Sequence, residues 1–385
     1  MKPIKWAPAI LSLGLFFLAS AAQADWQPVK RITWTAGESY QPRAAVDSLG
    51  HLYVVWYDYV DQAHDAYFKR STDGGTSWSA SQRLNGPTGK SAKPVIAVDS
   101  LDRIHVVWLD STIGNAEVYY KRSTDGGTSW SAGQRLTWNT ALSDEPALVI
   151  DPSDNLHLVW SDGTPGNQEL FYKKSTDGGV NWSAVQRITW TSSGSFSPAI
   201  AVDVAHYLHV AWYDQVSFDV SAVYYKRSTD NGDSWSSGKC LSSTGAVAQS
   251  PDIAVDSSGH IYTAWNDDTP GNSEIYFRTS ANSGGTWPAG KRLTWTSGAS
   301  FHPALAVDPY HNLHLVWHDN PAGNFEIYYR KTNTHGSTWT PAERLTWNSG
   351  QSWEPAIAID LSGNIHVVWS DGTPGNLEIY YRKGQ

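Results

Sequence analysis

Hydrophobic and polar positions along the chain repeat in blocks of about 52 residues. Each block contains four short runs rich in Val, Ile, Tyr, Trp and Thr, separated by turns rich in Gly, Asn, Asp and Pro. In the third block these runs cover 146–151, 155–162, 169–175 and 182–190, and we name them strands A, B, C and D. Runs of this composition predict antiparallel strands, and no window shows a sustained helical period.

The repeat occurs seven times. A Val-Asp or Ile-Asp pair marks the end of each strand A, at Asp47, Asp99, Asp151, Asp203, Asp256, Asp308 and Asp360. Four strands repeated seven times predict an all-β fold, a seven-bladed β-propeller. The last block lacks strand D, whereas residues 26–34 match 182–190. We therefore expect the N-terminal strand to complete the seventh blade and remove an exposed sheet edge. A linear solenoid is the alternative, but it needs polar capping repeats.

The N-terminal residues resemble an export signal. Lys2 and Lys5 precede an apolar run at 10–19, and Ala22-Gln23-Ala24 has the pattern of a cleavage site. This predicts a signal peptide over 1–24 and a mature propeller over 25–385, secreted or periplasmic. The apolar run is too short for a membrane anchor, so no membrane insertion is expected.

Net charge and cysteine content limit the classes of partner and of cross-link that we expect. The formal net charge of −9 disfavours nucleic acid, whose phosphates an acidic surface repels. Cys240 is the single cysteine, so no intrachain disulfide can form. We expect a monomer without a cofactor.

The turn between strands C and D reads Ser-x-Asp-x-Gly-x-Ser/Thr-Trp at 71–78, 123–130 and 228–235, with Asn181 in the Ser/Thr position of the third block. This resembles the Asp box, or bacterial neuraminidase repeat, of sialidase-like propellers. The resemblance implies that the box aspartates are structural and lie in turns on the outer rim, away from the ligand. They are Asp73, Asp125, Asp177 and Asp230. The fifth and sixth blocks depart from the pattern with Asn282 and Thr334.

The same resemblance implies a possible active site. Sialidases use three arginines around a substrate carboxylate, a Tyr–Glu nucleophile pair and an Asp acid. Here an arginine before Leu or Ile recurs in most blocks, which is typical of a scaffold residue, and the Arg-Ile-Pro signature is absent. Both observations favour a protein without catalysis. If the protein is an enzyme, the candidates at the channel mouth are Tyr40, Arg43, Asp144, Glu145, His302 and Glu354.

Acidic pairs seven residues apart, such as Asp162 and Glu169, flank most B–C loops. Like charges on one hairpin repel, so a cation, a ligand or a salt bridge must offset them. The fourth block has Ala222 in place of the Glu and Cys240 in place of the repeated Arg. Their joint absence favours Glu–Arg salt bridges, such as Glu169–Arg187, over a metal, and no metal site is predicted. A ring of histidines (His105, His157, His209, His314 and His366) is interpreted as packing with a polar tip.

Positions that differ between blocks are the better candidates for binding. The residue two before the strand A proline reads Tyr40, Ala92, Asp144, Phe196, Gln249, Phe301 and Trp353, and that immediately before it reads Gln41, Lys93, Glu145, Ser197, Ser250, His302 and Glu354. The residue between the Trp and the Asp that end strand B, such as Tyr57, also varies. Such mixtures suit a concave site for a polar ligand, and they equally fit unconstrained drift.

A repeated Trp ends strand D in five blocks, at Trp34, Trp138, Trp190, Trp295 and Trp347. These rings fit sugar stacking or a hydrophobic seam between blades, and the large area that Trp can bury favours the seam.

The leading hypothesis is a secreted, non-catalytic propeller that binds a carbohydrate or a cell-surface partner through its D–A and B–C loops. The proposed ligand-binding residues are Trp34, Trp138, Trp190, Trp295, Trp347, Trp353, Tyr40 and Tyr57. The alternatives are a sialidase-like exo-glycoside hydrolase with one site at the channel mouth and a scaffold for protein partners.

Overall fold

The computed structural model describes residues 24–86, 89–217, 219–243, 245–321 and 323–385, and all but the last residue of the predicted signal peptide lies outside them. These residues form seven four-stranded antiparallel sheets, which confirms the seven-bladed β-propeller. Strand β1 (Lys30–Arg31) comes first in the chain but belongs to the seventh blade.

The other strands follow blade by blade. Blade 1 contains β2 (Glu38–Val46), β3 (Leu52–Val60), β4 (Ala63–Ser71) and β5 (Gln82–Arg83). Blade 2 contains β6 (Ser91–Val98), β7 (Ile104–Asp110), β8 (Glu117–Ser123) and β9 (Gln134–Arg135). Blade 3 contains β10 (Ser143–Ile150), β11 (Leu156–Asp162), β12 (Glu169–Ser175) and β13 (Gln186–Arg187). Blade 4 contains β14 (Gly194–Val202), β15 (Leu208–Ser217), β16 (Val220–Ser228) and β17 (Lys239–Cys240).

Blade 5 contains β18 (Ala248–Val255), β19 (Ile261–Asp267), β20 (Glu274–Ser280) and β21 (Lys291–Arg292). Blade 6 contains β22 (Ser300–Val307), β23 (Leu313–Asp319), β24 (Glu326–Thr332) and β25 (Glu343–Arg344). Blade 7 contains β26 (Ser352–Ile359), β27 (Ile365–Asp371) and β28 (Glu378–Gly384), completed by β1.

The N-terminal strand closes the ring as the sequence predicts. Lys30 pairs with Tyr381 and Arg31 with Tyr380 in antiparallel register. The backbone N–H of Ile32 donates to the carbonyl of Ile379 at 2.8 Å. The seventh blade therefore joins the first and last described segments of the chain without a covalent link.

Two strand boundaries differ from the prediction. Strand A of the third blade begins at Ser143, three residues before the predicted start, and contains a β-bulge between Asp144 and Ala147. Strand D has only two ladder residues instead of the nine predicted. Strand D is the outer edge of its sheet, where water can satisfy backbone groups that a central strand must pair.

The hydrophobic core lies between blades. One cluster joins Leu109 and Val118 of blade 2 to Leu156 and Trp160 of blade 3. Trp160 is fully buried, and its indole N–H donates to Asp162 at 3.2 Å. The strand B tryptophans therefore fill the seam between neighbouring sheets.

The C–D turns and the histidine ring contribute hydrogen bonds that stabilise the scaffold. The Asp73 carboxylate accepts the backbone N–H of Ser77 and the hydroxyl of Ser71, both at 2.8 Å. His157 is buried and lies 2.8 Å from the Tyr172 hydroxyl, and burial lowers its pKa to about 4. Neutral packing histidines are what the sequence predicts. Within the described segments, no helix is both long and apolar enough to cross a bilayer.

Candidate functional site

The predicted Glu–Arg salt bridges form in five blades. Each joins a buried strand C glutamate to a strand D arginine. The pairs are Arg31–Glu378 at 2.6 Å, Arg135–Glu117 at 2.7 Å, Arg187–Glu169 at 2.9 Å, Arg292–Glu274 at 2.7 Å and Arg344–Glu326 at 2.6 Å. Blade 1 substitutes Asp65 for the Glu, and it pairs with Arg83 at 2.5 Å.

The Trp three residues after each of the five arginines that pair with a Glu is exposed. The exposed fractions are 68% for Trp34, 67% for Trp138, 69% for Trp190, 68% for Trp295 and 65% for Trp347. The prediction that these rings form the seam between blades is therefore wrong. The seam is already filled by the strand B tryptophans, so the strand D rings remain at the surface, on the face of the D–A and B–C loops.

Each exposed ring rests on positive charge. The Arg187 guanidinium carbon lies 5.6 Å from the Trp190 ring centroid, and the Lys226 ammonium of the next blade lies 5.9 Å from it. The corresponding arginine lies 5.5–5.9 Å from the ring in the other four blades. Cations near the ring face attract its π electrons and help to hold the ring in place.

The buried glutamate also fixes the backbone beside the ring. The N–H of Thr191, which follows Trp190, donates to the Glu169 carboxylate at 2.7 Å. The Asn167 side-chain amide donates to the same carboxylate at 3.2 Å. Glu, Arg and Trp thus form one unit, in which the salt bridge positions an exposed aromatic surface.

The seven blades support this interpretation. The five blades with the Glu all carry the Trp, whereas blade 1, with Asp65, has Gly86 and blade 4, with Ala222, has Ser243. A salt bridge needed only for folding has no reason to occur together with an exposed ring. The joint occurrence indicates that the pair serves the Trp.

A second feature is the central channel, a cavity of about 410 Å³ lined by the strand A residues of all seven blades. The residue before the strand A proline has a positive φ of 47–52° in every blade. These residues are Gln41, Lys93, Glu145, Ser197, Ser250, His302 and Glu354. A β-bulge at each position turns the side chain toward the channel.

The channel brings together four of the six residues predicted for an active site, namely Arg43, Glu145, His302 and Glu354. The two glutamates already have hydrogen-bond partners. Ser197 donates to Glu145 through its N–H at 2.6 Å and its hydroxyl at 3.0 Å, and the Gln41 amide donates to Glu354 at 3.2 Å.

The other two candidates do not line the cavity. Asp144 accepts a hydrogen bond from Lys93 at 2.7 Å, and the same ammonium lies 3.9 Å from Glu145. The Tyr40 hydroxyl donates to Glu38, and its ring stacks on Tyr57 with centroids 5.4 Å apart.

Sequence reasoning missed Asp252, which also lines the channel. Its carboxylate accepts the N–H of Leu305 at 2.7 Å. Burial raises its pKa to about 6, against smaller lowering effects of the backbone N–H groups of Leu305 and Ile253 and of the Arg43 charge. A comparison of the blades could have identified Asp252. The residue after the strand A proline is apolar in five blades and charged only at Arg43 and Asp252.

The rim beside the channel is rich in aromatic rings in blades 6 and 7. The His318 ring lies 5.2 Å from that of His302 and 5.0 Å from that of Phe325. Burial lowers the pKa of His318 well below its usual value, and its Nδ1 accepts the N–H of Glu354 at 3.3 Å. Trp353 lies at the edge of this cluster, 6.5 Å from Phe325.

No protein-family model matches the chain, and no curated protein matches it. Several solved structures do match the chain. An ulvan lyase, described as a new family of polysaccharide lyase, has a TM-score of 0.66 and 12% identity, covering 91% of this chain and 95% of its own. A Hadza microbial sialidase has a TM-score of 0.56 and 13% identity, covering 88% and 74%. A Penicillium chrysogenum α-L-arabinanase has a TM-score of 0.55 and 14% identity, covering 93% and 98%. At these identities, what the chain shares with all three is the β-propeller fold.

Proposed function

We propose that this protein is a non-catalytic carbohydrate-binding propeller with five equivalent sites, one at each exposed strand D tryptophan. The observation that carries the proposal is the uniform 65–69% exposure of these five rings on their Glu–Arg supports. Exposing a large aromatic ring to water is unfavourable, and repeating the arrangement five times calls for a ligand.

The chemistry of each site suits a sugar. A flat indole face offers apolar contact to the C–H groups of a pyranose or furanose ring, and the loop after the Trp offers backbone and hydroxyl groups for hydrogen bonds. Five weak sites on one face bind a polymer with repeated units much more tightly than any single site does. The predicted export signal would bring this face to extracellular polysaccharide.

The structural neighbours agree with this class of ligand. By their names, the lyase acts on ulvan, the arabinanase was solved with arabinobiose, and the third neighbour is a sialidase. They supply the first polymers to try.

Affinity electrophoresis in gels containing ulvan, arabinan or a sialylated mucin tests the proposal. We expect retardation by at least one polymer and about a tenfold loss of affinity when Trp138→Ala and Trp190→Ala are combined, because avidity falls steeply with each lost site. The matched control is Tyr310→Ala, which removes an equally exposed ring (68%) from an A–B turn at the other end of the strands. Retardation that the double Trp variant retains, or that Tyr310→Ala abolishes, contradicts the proposal.

A second candidate is a glycoside hydrolase or lyase with one site in the channel, favoured by the convergence of Arg43, Asp252 and Glu354 on one cavity. Acid–base cleavage of a glycosidic bond uses two carboxyl groups. This candidate predicts release of reducing ends or of a chromogenic aglycone, abolished by Glu145→Gln or Glu354→Gln and unaffected by Trp190→Ala.

A further inference from the structure

A group of metal-ligand side chains lies far from both the channel and the exposed tryptophans. It joins the A–B turn of blade 5, which carries Asp256 and His260, to the C–D turn of blade 6, which carries His335. One donor atom from each residue lies within 4.8 Å of the others, and no other trio of His, Cys, Asp or Glu in the described part of the chain meets this condition.

The geometry of the group is convergent. The Asp256 Oδ2 lies 3.3 Å from the His260 Nδ1 and 3.4 Å from the His335 Nδ1. The two imidazole rings stack with centroids 4.1 Å apart. The Tyr262 hydroxyl lies 2.7 Å from both the Asp256 Oδ2 and the His335 Nδ1, so a fourth oxygen faces the same point.

Blade 1 provides an internal comparison. Its residues Asp47, His51 and Tyr53 correspond to Asp256, His260 and Tyr262 of blade 5. In the C–D turn of the following blade, however, Gly126 occupies the position that corresponds to His335. There, His51 Nδ1 hydrogen-bonds directly to Asp47 at 2.8 Å, and Arg70 extends across the turn to the Gly126 carbonyl at 2.7 Å.

Blade 5 lacks both of these bonds. Thr279 replaces the arginine, so no long cation covers the turn. The buried His260 Nδ1 lies 3.3 Å from the Asp256 carboxylate but makes no hydrogen bond with it or with any other described residue. A buried ring nitrogen without a partner is costly. A ligand on that nitrogen removes this cost.

We propose that Asp256, His260 and His335 bind a divalent transition metal of the Zn²⁺ type. Imidazole nitrogen and carboxylate oxygen are typical zinc ligands, and three protein ligands leave a fourth position for water or for the Tyr262 oxygen. Ca²⁺ prefers six to eight oxygen ligands and fits this group poorly. The His335 side chain is 43% exposed, which gives the ion a path from solvent. The bound ion links blade 5 to blade 6 at the rim.

Isothermal titration of the untagged, EDTA-treated chain with Zn²⁺, and separately with Ca²⁺, tests the site. We expect one Zn²⁺ per chain, with affinity at least about tenfold lower in His335→Gly and in His260→Asn, and no comparable binding of Ca²⁺. Both substitutions install residues that other blades carry at these positions (Gly126 and Asn155, for example), so the fold is retained, as circular dichroism can verify. His51→Asn, in the blade 1 copy without the second imidazole, is the matched control and leaves Zn²⁺ binding unchanged.

Unchanged Zn²⁺ affinity in His335→Gly, equal loss in His51→Asn, or equal binding of Ca²⁺ overturns the assignment.

Building a second zinc site in blade 1 provides an independent test. Gly126→His combined with Arg70→Thr rebuilds the blade 5 arrangement in blade 1, where Gly126 already has a φ of 65° close to the 51° of His335. A second Zn²⁺ equivalent in this variant supports the three-ligand geometry, whereas a folded variant that still binds one Zn²⁺ contradicts it.

Discussion

At the residue scale, the channel contains one carboxyl group without a counterpart in other blades. Asp252 occupies a position that is Val or Ala in five blades, and it is half-buried in the wall of the channel. Its pKa is raised from 3.8 to about 6 because burial disfavours the charged form. The channel therefore changes charge within a mildly acidic pH range.

Asp252→Asn tests this environment. The folded chain binds the Asp252 proton more tightly than the unfolded chain does, so the stability from this group is present below pH 4 and is lost as the pH rises through about 6. We expect the variant to gain stability relative to the natural chain between pH 4 and 6, reaching on the order of 1 to 2 kcal/mol above that range.

Denaturant unfolding at a series of pH values measures this difference. Asp61→Asn, on the exposed β3–β4 turn, is the control and gives no such pH-dependent gain. A difference between Asp252→Asn and the natural chain that stays flat across this range shows that the carboxyl group is not desolvated.

At the element scale, short runs rich in apolar residues identified strands B and C almost to their ends and most of strand A, because strands buried on both faces require a nearly continuous apolar pattern. The pattern did not predict the short length of strand D or the β-bulge in strand A, for a different reason. A polarity pattern carries no information about φ, and a residue before proline normally avoids helical conformations. The positive φ of Ser250 and its six equivalents was therefore not predictable from the pattern.

The candidate sites also contain some residues that the sequence singled out and others that it missed. The repeat singled out the five strand D tryptophans as a set, but an apolar ring fits a seam as well as an exposed platform until the packing of Trp160 and its equivalents is known. Asp252 was missed although the comparison of blades that singled out Arg43 applies to it equally. The Asp256–His260–His335 group was not predicted because its members come from different turns of neighbouring blades.

The bulge stores strain at one residue of each blade, which gives a prediction for strand A. A non-glycine residue at a φ of 51° pays a steric cost that glycine avoids. Ser250→Gly should therefore raise the free energy of unfolding by about 0.5 to 1 kcal/mol. Ser250→Ala, which keeps the Cβ atom, should give no gain. Chemical denaturation compares the two, and equal stability of the Gly and Ala variants means that the bulge is not strained.

At the scale of the whole molecule, ring closure affects both the stability of the fold and the number of proposed binding sites. The Trp34 unit is assembled from two distant parts of the chain, because Arg31 and Trp34 precede blade 1 whereas Glu378 lies in the last strand of blade 7. The other four units are built within a continuous blade. If the N-terminal strand detaches, one of the five proposed sites is lost with it.

Two matched substitutions distinguish local opening of the closing strand from a general loss of core packing. Ile32 in the closing strand and Ile188 in blade 3 are equivalent, both are fully buried, and the N–H of each donates to a strand C carbonyl at 2.8 Å. Truncation to Ala should cost each variant about 2 to 4 kcal/mol of stability. The closing strand, however, is joined to the rest of blade 7 only by noncovalent contacts, so Ile32→Ala should also release it locally. Limited digestion with trypsin should then cut at Lys30 and Arg31 in Ile32→Ala, while Arg187 stays protected in Ile188→Ala. Equal protection of both strands would show that the noncovalent closure is as resistant to local opening as a continuous blade.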